Sequence, residues 1–170
     1  MKLLLHMCCG PCSVYPISVI KEEKIDVEGY FYNPNIHPIE EFEKRMKNVQ
    51  IFSDKEKVKV YYNSEYLQEV WESYTDKEKR CNMCYRLRLE NVAKFAKENN
   101  FTAFSTTLLV SPYQKHDFIK SLGDELANKY GIDFFYRDFR IGFREGQRKA
   151  KEMGLYRQKY CGCIKSLTYN

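Results

Sequence analysis

The sequence predicts an α/β fold, a mainly parallel sheet with helices on both faces, and three observations support this. Short apolar runs alternate with longer amphipathic ones in the order β-α-β-α-β-α-α-β-α-β-α, which is typical of such a sheet. The first run, Lys2–Met7, is compact and apolar, as in strands that are buried on both faces. The 170 residues, 44% of them hydrophobic, suit a single domain spanning residues 1–170.

The individual elements follow from local patterns. Strands are expected at Lys2–Met7, Val27–Tyr32, Val58–Tyr62, Thr102–Thr106 and Ile132–Tyr136. Helices are expected at Ser13–Lys24, from Pro38 onward, and at Glu65–Ser73, Cys81–Asn99 and Lys115–Tyr130. Ser13 is the expected N-cap of the first helix, and Gly131 is the residue that stops the helix before the last strand. Beyond about Glu152 the chain loses periodicity, so we expect an irregular C-terminal tail that carries two cysteines.

The chain carries a formal net charge of +5, and the excess lies near its C-terminal end. Between Arg137 and Lys165, nine Lys and Arg residues stand against three Asp and Glu residues. Such a basic end indicates an anionic partner, nucleic acid first, although an ordinary solvated face fits the charge as well. No apolar run approaches the roughly 20 residues of a membrane helix, and the first residues lack a signal-peptide pattern, so we expect a cytoplasmic protein.

Seven cysteines fall into three compact groups. They are C-C-x-x-C at Cys8, Cys9 and Cys12, C-x-x-C at Cys81 and Cys84, and C-x-C at Cys161 and Cys163. Ligands of open α/β sheets bind at the carboxyl ends of the strands, and the first group lies where the first strand ends. Clustered thiolates are typical ligands of an iron–sulfur cluster or of zinc. A metal-free thiol redox site is the third alternative, whereas a disulfide framework conflicts with a cytoplasmic location.

Six segments, in order and covering nearly the whole chain, resemble one known family. They are LLLHMCCGPCS at 3–13, GYFYNPNIHPIEEFEKR at 29–45, RCNMCYRLRLE at 80–90, FSTTLLVSPYQKH at 104–116, FFYRDFRIGFREG at 134–146 and MGLYRQKYCGC at 153–163. The family is that of the cobalamin-independent epoxyqueuosine reductases, called QueH. The resemblance implies a Rossmann-like fold and a [4Fe–4S] cluster with a further metal or redox function beside it. It also implies the last step of queuosine biosynthesis, the two-electron deoxygenation of epoxyqueuosine in tRNA to queuosine.

Within that resemblance, the cysteines can be assigned to roles. The expected cluster ligands are Cys8, Cys9, Cys81 and Cys84. Cys12 replaces one of the first two if the chain stays extended there, because adjacent residues of a strand point to opposite faces. The remaining pair, Cys161 and Cys163, is expected to be redox-active or to bind a second, mononuclear iron that acts as a Lewis acid.

Other residues of the matched segments are candidates for proton transfer and substrate binding. Asp138 and Tyr113 are candidate proton donors, although a structural ion pair and aromatic packing are the ordinary roles of such residues. The expected tRNA phosphate contacts are Arg140, Arg144, Arg148, Arg157 and Lys159. An external electron donor is required. The rival hypothesis is a zinc-stabilised RNA-binding domain without catalysis, and an adenylating tRNA enzyme is disfavoured because its phosphate loop is absent.

Overall fold

The computed structural model describes residues 1–168, and a five-stranded sheet forms the centre of that part of the chain. The strands are β1 (Lys2–His6), β2 (Asp26–Tyr32), β3 (Val60–Asn63), β4 (Ala103–Thr106) and β5 (Asp133–Phe134). They lie in the order β3-β2-β1-β4-β5, and every neighbouring pair is parallel. The expected α/β fold is therefore confirmed, with the strand order of a Rossmann-like sheet.

Helices connect the strands and follow the last of them. They are α1 (Gly10–Glu22), α2 (Ile39–Glu56), α3 (Gln68–Glu72), α4 (Lys77–Glu98), α5 (His116–Tyr130), α6 (Phe143–Glu152) and α7 (Ile164–Thr168). Two 3-10 helices, Thr107–Val110 and Arg140–Gly142, follow β4 and β5. Helix α1 packs against α2 and α6, whereas α4 packs against α5. Right-handed crossovers place these two groups on opposite faces of the sheet. Within residues 1–168 we find no helix with the length and apolar character needed to cross a membrane.

The start of α1 differs from the expectation. The helix begins at Gly10, three residues before the expected cap Ser13. Cys9 caps it instead, because its sulfur accepts a hydrogen bond from the Cys12 N–H at 3.3 Å. Ser13 lies inside the first turn, where its hydroxyl donates to the Cys9 carbonyl at 2.7 Å. The first cysteine group is therefore part of the helix start.

Helix α4 also begins earlier than expected. Its N-cap is Asp76, whose side chain accepts from the Lys79 N–H at 2.8 Å. Cys81 consequently lies inside the helix and does not open it. The C-terminal tail is irregular from Met153 to the last cysteine, and α7 then adds one short helix to it.

The central strand β1 is covered on both faces. Leu3, Leu4 and Leu5 are all 0% exposed, although successive side chains of a strand point to opposite faces. Burying each leucine contributes roughly 1.5–3 kcal/mol. The continuous apolar run in the sequence thus reflects helices on both sides of this strand.

A buried histidine joins the carboxyl ends of three strands. His6 Nε2 lies 3.0 Å from both the Tyr32 carbonyl oxygen and Asn33 Oδ1, and its Nδ1 lies 2.9 Å from Thr106 Oγ1. Burial lowers the pKa of His6 to about 4, so the ring is neutral at neutral pH. Because Nε2 faces two carbonyl oxygens, it carries the proton. His6 therefore fixes the sheet edge at which ligands of this fold bind.

Candidate thiol site

The sulfurs of the first cysteine group gather directly beyond β1. The Sγ atoms of Cys8, Cys9 and Cys12 all lie within 4.8 Å of one another. The chain leaves β1 and enters α1 within a few residues, so Cys8 and Cys9 do not point apart as they would in an extended strand. Gly10 permits the close approach of α2 at this turn, because a Cβ there would lie 2.4 Å from Asn48 Oδ1.

Hydrogen bonds make Cys8 the most acidic thiol of this group. Those from the Cys12 and Cys9 thiols and from the Thr107 hydroxyl hold the pKa of Cys8 well below its ordinary value. The Thr107 hydroxyl lies 3.2 Å from Cys8 Sγ and accepts from the Cys8 N–H at 3.0 Å. Burial raises the pKa of Cys9, and hydrogen bonding to Cys8 raises that of Cys12. Within this group, hydrogen bonding with the two neighbouring thiols therefore favours the thiolate form of Cys8.

Gln158, a residue without any sequence signal, contacts these sulfurs from the C-terminal tail. Its Nε2 donates to Cys9 Sγ at 3.0 Å and to Cys12 Sγ at 3.8 Å. Its Oε1 is buried and has no hydrogen-bond partner in the described part of the chain. Nothing in composition or spacing separates Gln158 from other polar residues, so only the folded chain reveals this contact.

One cysteine of the second group and one of the third pack together against the Trp71 side chain. Cys84 and Cys163 are buried and form a small apolar cluster with Trp71, which is 0% exposed. Burial raises the pKa of Cys84, while the charge of Arg88 and the Trp71 side chain oppose this shift. Cys81 is only partly buried and packs against the main core. The two sulfurs of the second group therefore occupy different environments.

A buried arginine fixes the C-x-C segment. The Arg45 guanidinium donates to the carbonyl oxygens of Tyr160 at 2.9 Å and Cys161 at 3.2 Å. Its Nε pairs with Glu41 Oε1 at 3.0 Å. Between the two cysteines, Gly162 adopts a φ of +128°, a conformation that side chains other than glycine rarely allow. The segment is thus held in one conformation by the body of the protein.

The two cysteines of this segment differ in acidity. Hydrogen bonding with the Cys163 thiol, and next the contact with Ser166, lowers the pKa of Cys161 to about 5. The same interaction with Cys161 raises the pKa of Cys163. Cys161 is exposed and Cys163 is buried. An accessible thiolate therefore lies beside a buried thiol, as a reactive dithiol requires.

One buried guanidinium connects the three cysteine groups. Arg88 is 5% exposed, and its Nε lies 3.4 Å from the Cys84 carbonyl oxygen. Burial opposes its charge, but Cys84, Cys8 and Cys161 raise the pKa of Arg88. The groups that raise it are Cys84, Cys8, Tyr85 and Cys161, and of these Cys8 and Cys161 have lowered pKa values. A buried cation in such surroundings favours negative charge on the thiols or on a metal group that they hold.

The two candidate proton donors lie on loops that follow β4 and β5. Asp138 pairs with Arg140 through both carboxylate oxygens, at 2.9 and 2.7 Å, and this lowers the pKa of Asp138 to about 2. Asp138 Oδ1 also lies 4.0 Å from His116 Nε2. Tyr113 is 84% exposed, and its ring meets Phe143 edge-on with centroids 5.8 Å apart. Among the described contacts, neither residue hydrogen-bonds to a cysteine.

The five expected phosphate contacts are of two kinds. Arg140 and Arg148 are held in ion pairs with Asp138 and Glu152, each at 2.7 Å. The exposed ones without an ion pair inside the described range are Arg144, Arg157 and Lys159. Only this second kind has its charge fully available to an anionic ligand.

A Rossmann-like sheet with three thiol groups around one buried arginine defines a class: α/β proteins of thiol redox or metal–thiolate chemistry. The chain matches the family described as Epoxyqueuosine reductase QueH over residues 3–169. It belongs to that family, as its motifs implied, and is an oxidoreductase.

Relatives and solved structures extend this assignment. The chain is 38% identical to the epoxyqueuosine reductase QueH of Thermotoga maritima, over 97% of this chain and 90% of that protein. It is 34% identical to the one of Dehalococcoides mccartyi, over 97% and 92%. A predicted subunit of a tRNA methyltransferase from Methanocaldococcus jannaschii has the same fold (TM-score 0.61, 12% identity, 89% of this chain and 75% of that chain). A deacetylase of teicoplanin biosynthesis is also similar (TM-score 0.55, 8% identity, 90% and 83%). At these identities the two structures share the fold alone.

Proposed function

We propose that the protein is an epoxyqueuosine reductase that removes the epoxide oxygen from epoxyqueuosine in tRNA and so completes queuosine. Its relatives are named for this activity. The structural observation that carries the proposal is the gathering of the Cys8, Cys9 and Cys12 sulfurs within 4.8 Å of one another, directly beyond β1. Scattered structural cysteines would not gather in this way.

The reaction needs two electrons and two protons. Both C–O bonds of the epoxide break, a C=C bond forms, and the oxygen leaves as water. An external donor must supply the electrons in each turnover. We place the reaction in the cytoplasm, where thiols stay reduced between turnovers.

The donor set suits an iron–sulfur group. Three thiols at the start of α1 offer soft ligands, and the helix N-terminus and Arg88 offset the negative charge that such a group carries. We propose Cys8, Cys9, Cys81 and Cys84 as ligands of a [4Fe–4S] cluster. Because its sulfur lies with those of Cys8 and Cys9, Cys12 is supported as the alternate ligand. When bound, such a group supplies one electron at a time, and a second, mononuclear iron would supply Lewis acidity.

The C-x-C segment can supply both electrons of the reduction at once. Oxidation of the Cys161 thiolate and the Cys163 thiol to a disulfide releases the two electrons that the epoxide consumes and one proton, so the second proton must come from another donor such as Tyr113. The accessible Cys161 thiolate and the segment held by Arg45 favour this role. Ligation of the second iron is the alternative role that we propose for the same pair.

Asp138 and Tyr113 stay our candidates for proton transfer. A carboxyl group with a pKa of about 2 has already lost its proton at neutral pH, so Asp138 suits the ion pair with Arg140 better than proton donation. The Tyr113 hydroxyl is accessible and is the candidate donor of the two. Replacement of each residue, followed by the pH dependence of turnover, tests both roles.

The five candidate tRNA contacts differ in whether the basic side chain already has a carboxylate partner. We propose that Arg144, Arg157 and Lys159 bind phosphates directly, because no carboxylate competes for them within residues 1–168. Arg157 and Lys159 flank Gln158, which touches the Cys9 sulfur, so they lie beside the proposed reaction site. For Arg140 and Arg148 we propose a weaker contribution, since each must leave or share its carboxylate partner.

Metal counts and a turnover assay test the proposal together. Protein purified without oxygen should contain at least four irons and matching sulfide, and after reduction it should convert epoxyqueuosine to queuosine in tRNA. Mass spectrometry of the digested nucleosides measures the product. Three sulfurs within 4.8 Å can also surround a single zinc. A colourless protein with one zinc, no conversion and loss of fold on chelation would therefore establish the non-catalytic RNA-binding alternative.

A further inference from the structure

Two large apolar side chains are exposed to an unusual degree. Ile141 is 88% exposed and Tyr113 is 84% exposed, while Met1, the next such residue in the described range, is 64% exposed. Isolated exposed hydrophobic residues are common and need no explanation. These two, however, lie on neighbouring segments, which indicates a surface feature.

The segments that carry these two residues lie side by side. The helix at Thr107–Val110 lies against the one at Arg140–Gly142. Tyr113 meets Phe143 edge-on at 5.8 Å, and Phe143 follows Ile141 by two residues. We call Tyr113, Ile141 and Phe143 the apolar rim.

The apolar rim borders the thiol site. The Thr107 hydroxyl, at the start of the first 3-10 helix, contacts Cys8 at 3.2 Å. Helix α6, which begins at Phe143, packs along α1, and a Cβ at Gly146 would lie 3.9 Å from the Pro11 carbonyl oxygen. A ligand seated on the rim is therefore adjacent to the start of α1, where the sulfurs gather.

Charge identifies the chemistry of the ligand. Arg144 follows the rim directly, is exposed and has no ion pair in the described part of the chain. Unpaired bases of single-stranded RNA stack on aromatic side chains, while their phosphates bind free arginines. An uncharged apolar partner would leave this arginine without a counter-ion.

We propose that the apolar rim is the stacking platform for an unpaired base of the tRNA anticodon loop, beside the nucleotide that reacts. This inference rests on the proposed function and adds the surface that holds the loop. Tyr113 and Ile141 cover the base, and Arg144 binds its phosphate. The platform would keep the loop open while the modified base enters the thiol site.

Binding of an unmodified anticodon stem-loop RNA, measured by fluorescence anisotropy, tests the platform. Base stacking on an aromatic side chain contributes about 1–3 kcal/mol, so Tyr113→Ala should weaken binding by about fivefold to a hundredfold. Tyr113→Phe keeps the ring and should bind within about twofold of wild type. Ile141→Ser should weaken binding, whereas Ile51→Ser, at a 40% exposed position on α2, should not. Arg144→Gln should reduce the slope of log affinity against log salt by about 1.

Two outcomes would overturn the inference. Wild-type affinity in both Tyr113→Ala and Ile141→Ser would show that the rim does not bind the loop. Equal effects of these variants on a loop-free RNA duplex would show that no unpaired base is involved. The turnover assay separates this failure from that of the proposed function. A chain that converts epoxyqueuosine but shows either outcome keeps its function and loses the platform. A chain without turnover whose variants still weaken stem-loop binding keeps the platform and loses the function.

Discussion

Arg88 offers the sharpest test of how the thiols are organised. It is 5% exposed and its charge acts on three cysteines, so Arg88→Met removes a buried cation and keeps much of the side chain's volume. In the metal-free protein, a buried charge costs several kcal/mol of desolvation, which the neighbouring thiols offset only in part. Because the neighbouring thiols can take up a proton once the cation is gone, we expect Arg88→Met to leave the free energy of unfolding of the metal-free protein nearly unchanged.

The metal-loaded protein should respond more strongly than the metal-free protein. A metal–thiolate group adds negative charge near Arg88. Unit charges roughly 6 Å apart, at an effective dielectric constant of about 20, attract each other by about 3 kcal/mol. Loss of the cation should therefore weaken retention of the metal group by about a hundredfold. Arg88→Lys keeps the charge and should retain most of the metal.

Two measurements and one control test whether Arg88 acts through its charge. Urea unfolding of reduced, chelator-stripped protein gives the first effect, and iron and sulfide content after timed exposure to a chelator gives the second. Arg45→Met is the matched control, because Arg45 is 3% exposed but pairs with Glu41, so its loss should destabilise both forms. If Arg88→Met destabilises both forms as Arg45→Met does, Arg88 is a packing residue and the electrostatic argument is wrong.

Gln158→Leu removes the two N–H···S contacts and should lower the free energy of unfolding of the reduced protein by about 1–2 kcal/mol in urea; an unchanged midpoint at an unchanged slope would contradict this. Asp138→Asn should remove a pH-dependent contribution to the free energy of unfolding. The pKa of Asp138 is about 2 in the folded protein, below its unfolded value. The carboxylate therefore stabilises the fold above about pH 4, and this stabilisation is lost as the pH falls toward 2. Because Asp138 is 43% exposed, we expect less than about 1 kcal/mol, and a wild-type-minus-variant difference that stays constant from pH 6 to 2 would exclude the ion pair as its source. Gly10→Ala places a Cβ 2.4 Å from Asn48 Oδ1 and should cost about 1–3 kcal/mol in thermal or urea unfolding. Adding Asn48→Ala should restore most of that loss, and a double variant as unstable as Gly10→Ala would place the strain elsewhere.

Local sequence patterns predicted most helices and strands. The errors lie at element ends, which strand pairing or helix capping determines. Helix α5 was expected at Lys115–Tyr130 and begins one residue later, at His116. The prediction is this close because the apolar residues repeat at helical spacing and because Gly131, at a φ of +61°, ends the helix. The last strand was expected at Ile132–Tyr136, yet pairing with β4 covers only Asp133–Phe134. An apolar pattern reports burial, whereas strand length depends on a neighbouring strand.

The candidate site was predictable in its chemistry and less so in its geometry. Spacing alone separated the seven cysteines into three groups, but it could not show that the Cys12 sulfur lies with those of Cys8 and Cys9. Basic residues were equally visible in the sequence. Only the folded chain separates those held by carboxylates, such as Arg140 and Arg148, from Arg144, Arg157 and Lys159, which have no ion pair within residues 1–168.

By itself, the sequence determined the α/β class, the three thiol groups and the family, because these follow from periodic burial and from short motifs that stay contiguous. The tertiary structure alone decided that one cysteine of each group acts on Arg88 and that Gln158 reaches a sulfur 149 residues away in the chain. It also decided that Tyr113 meets Phe143, two residues beyond the exposed Ile141. Such contacts join residues far apart in sequence, and their geometry is set by how the intervening helices and strands pack.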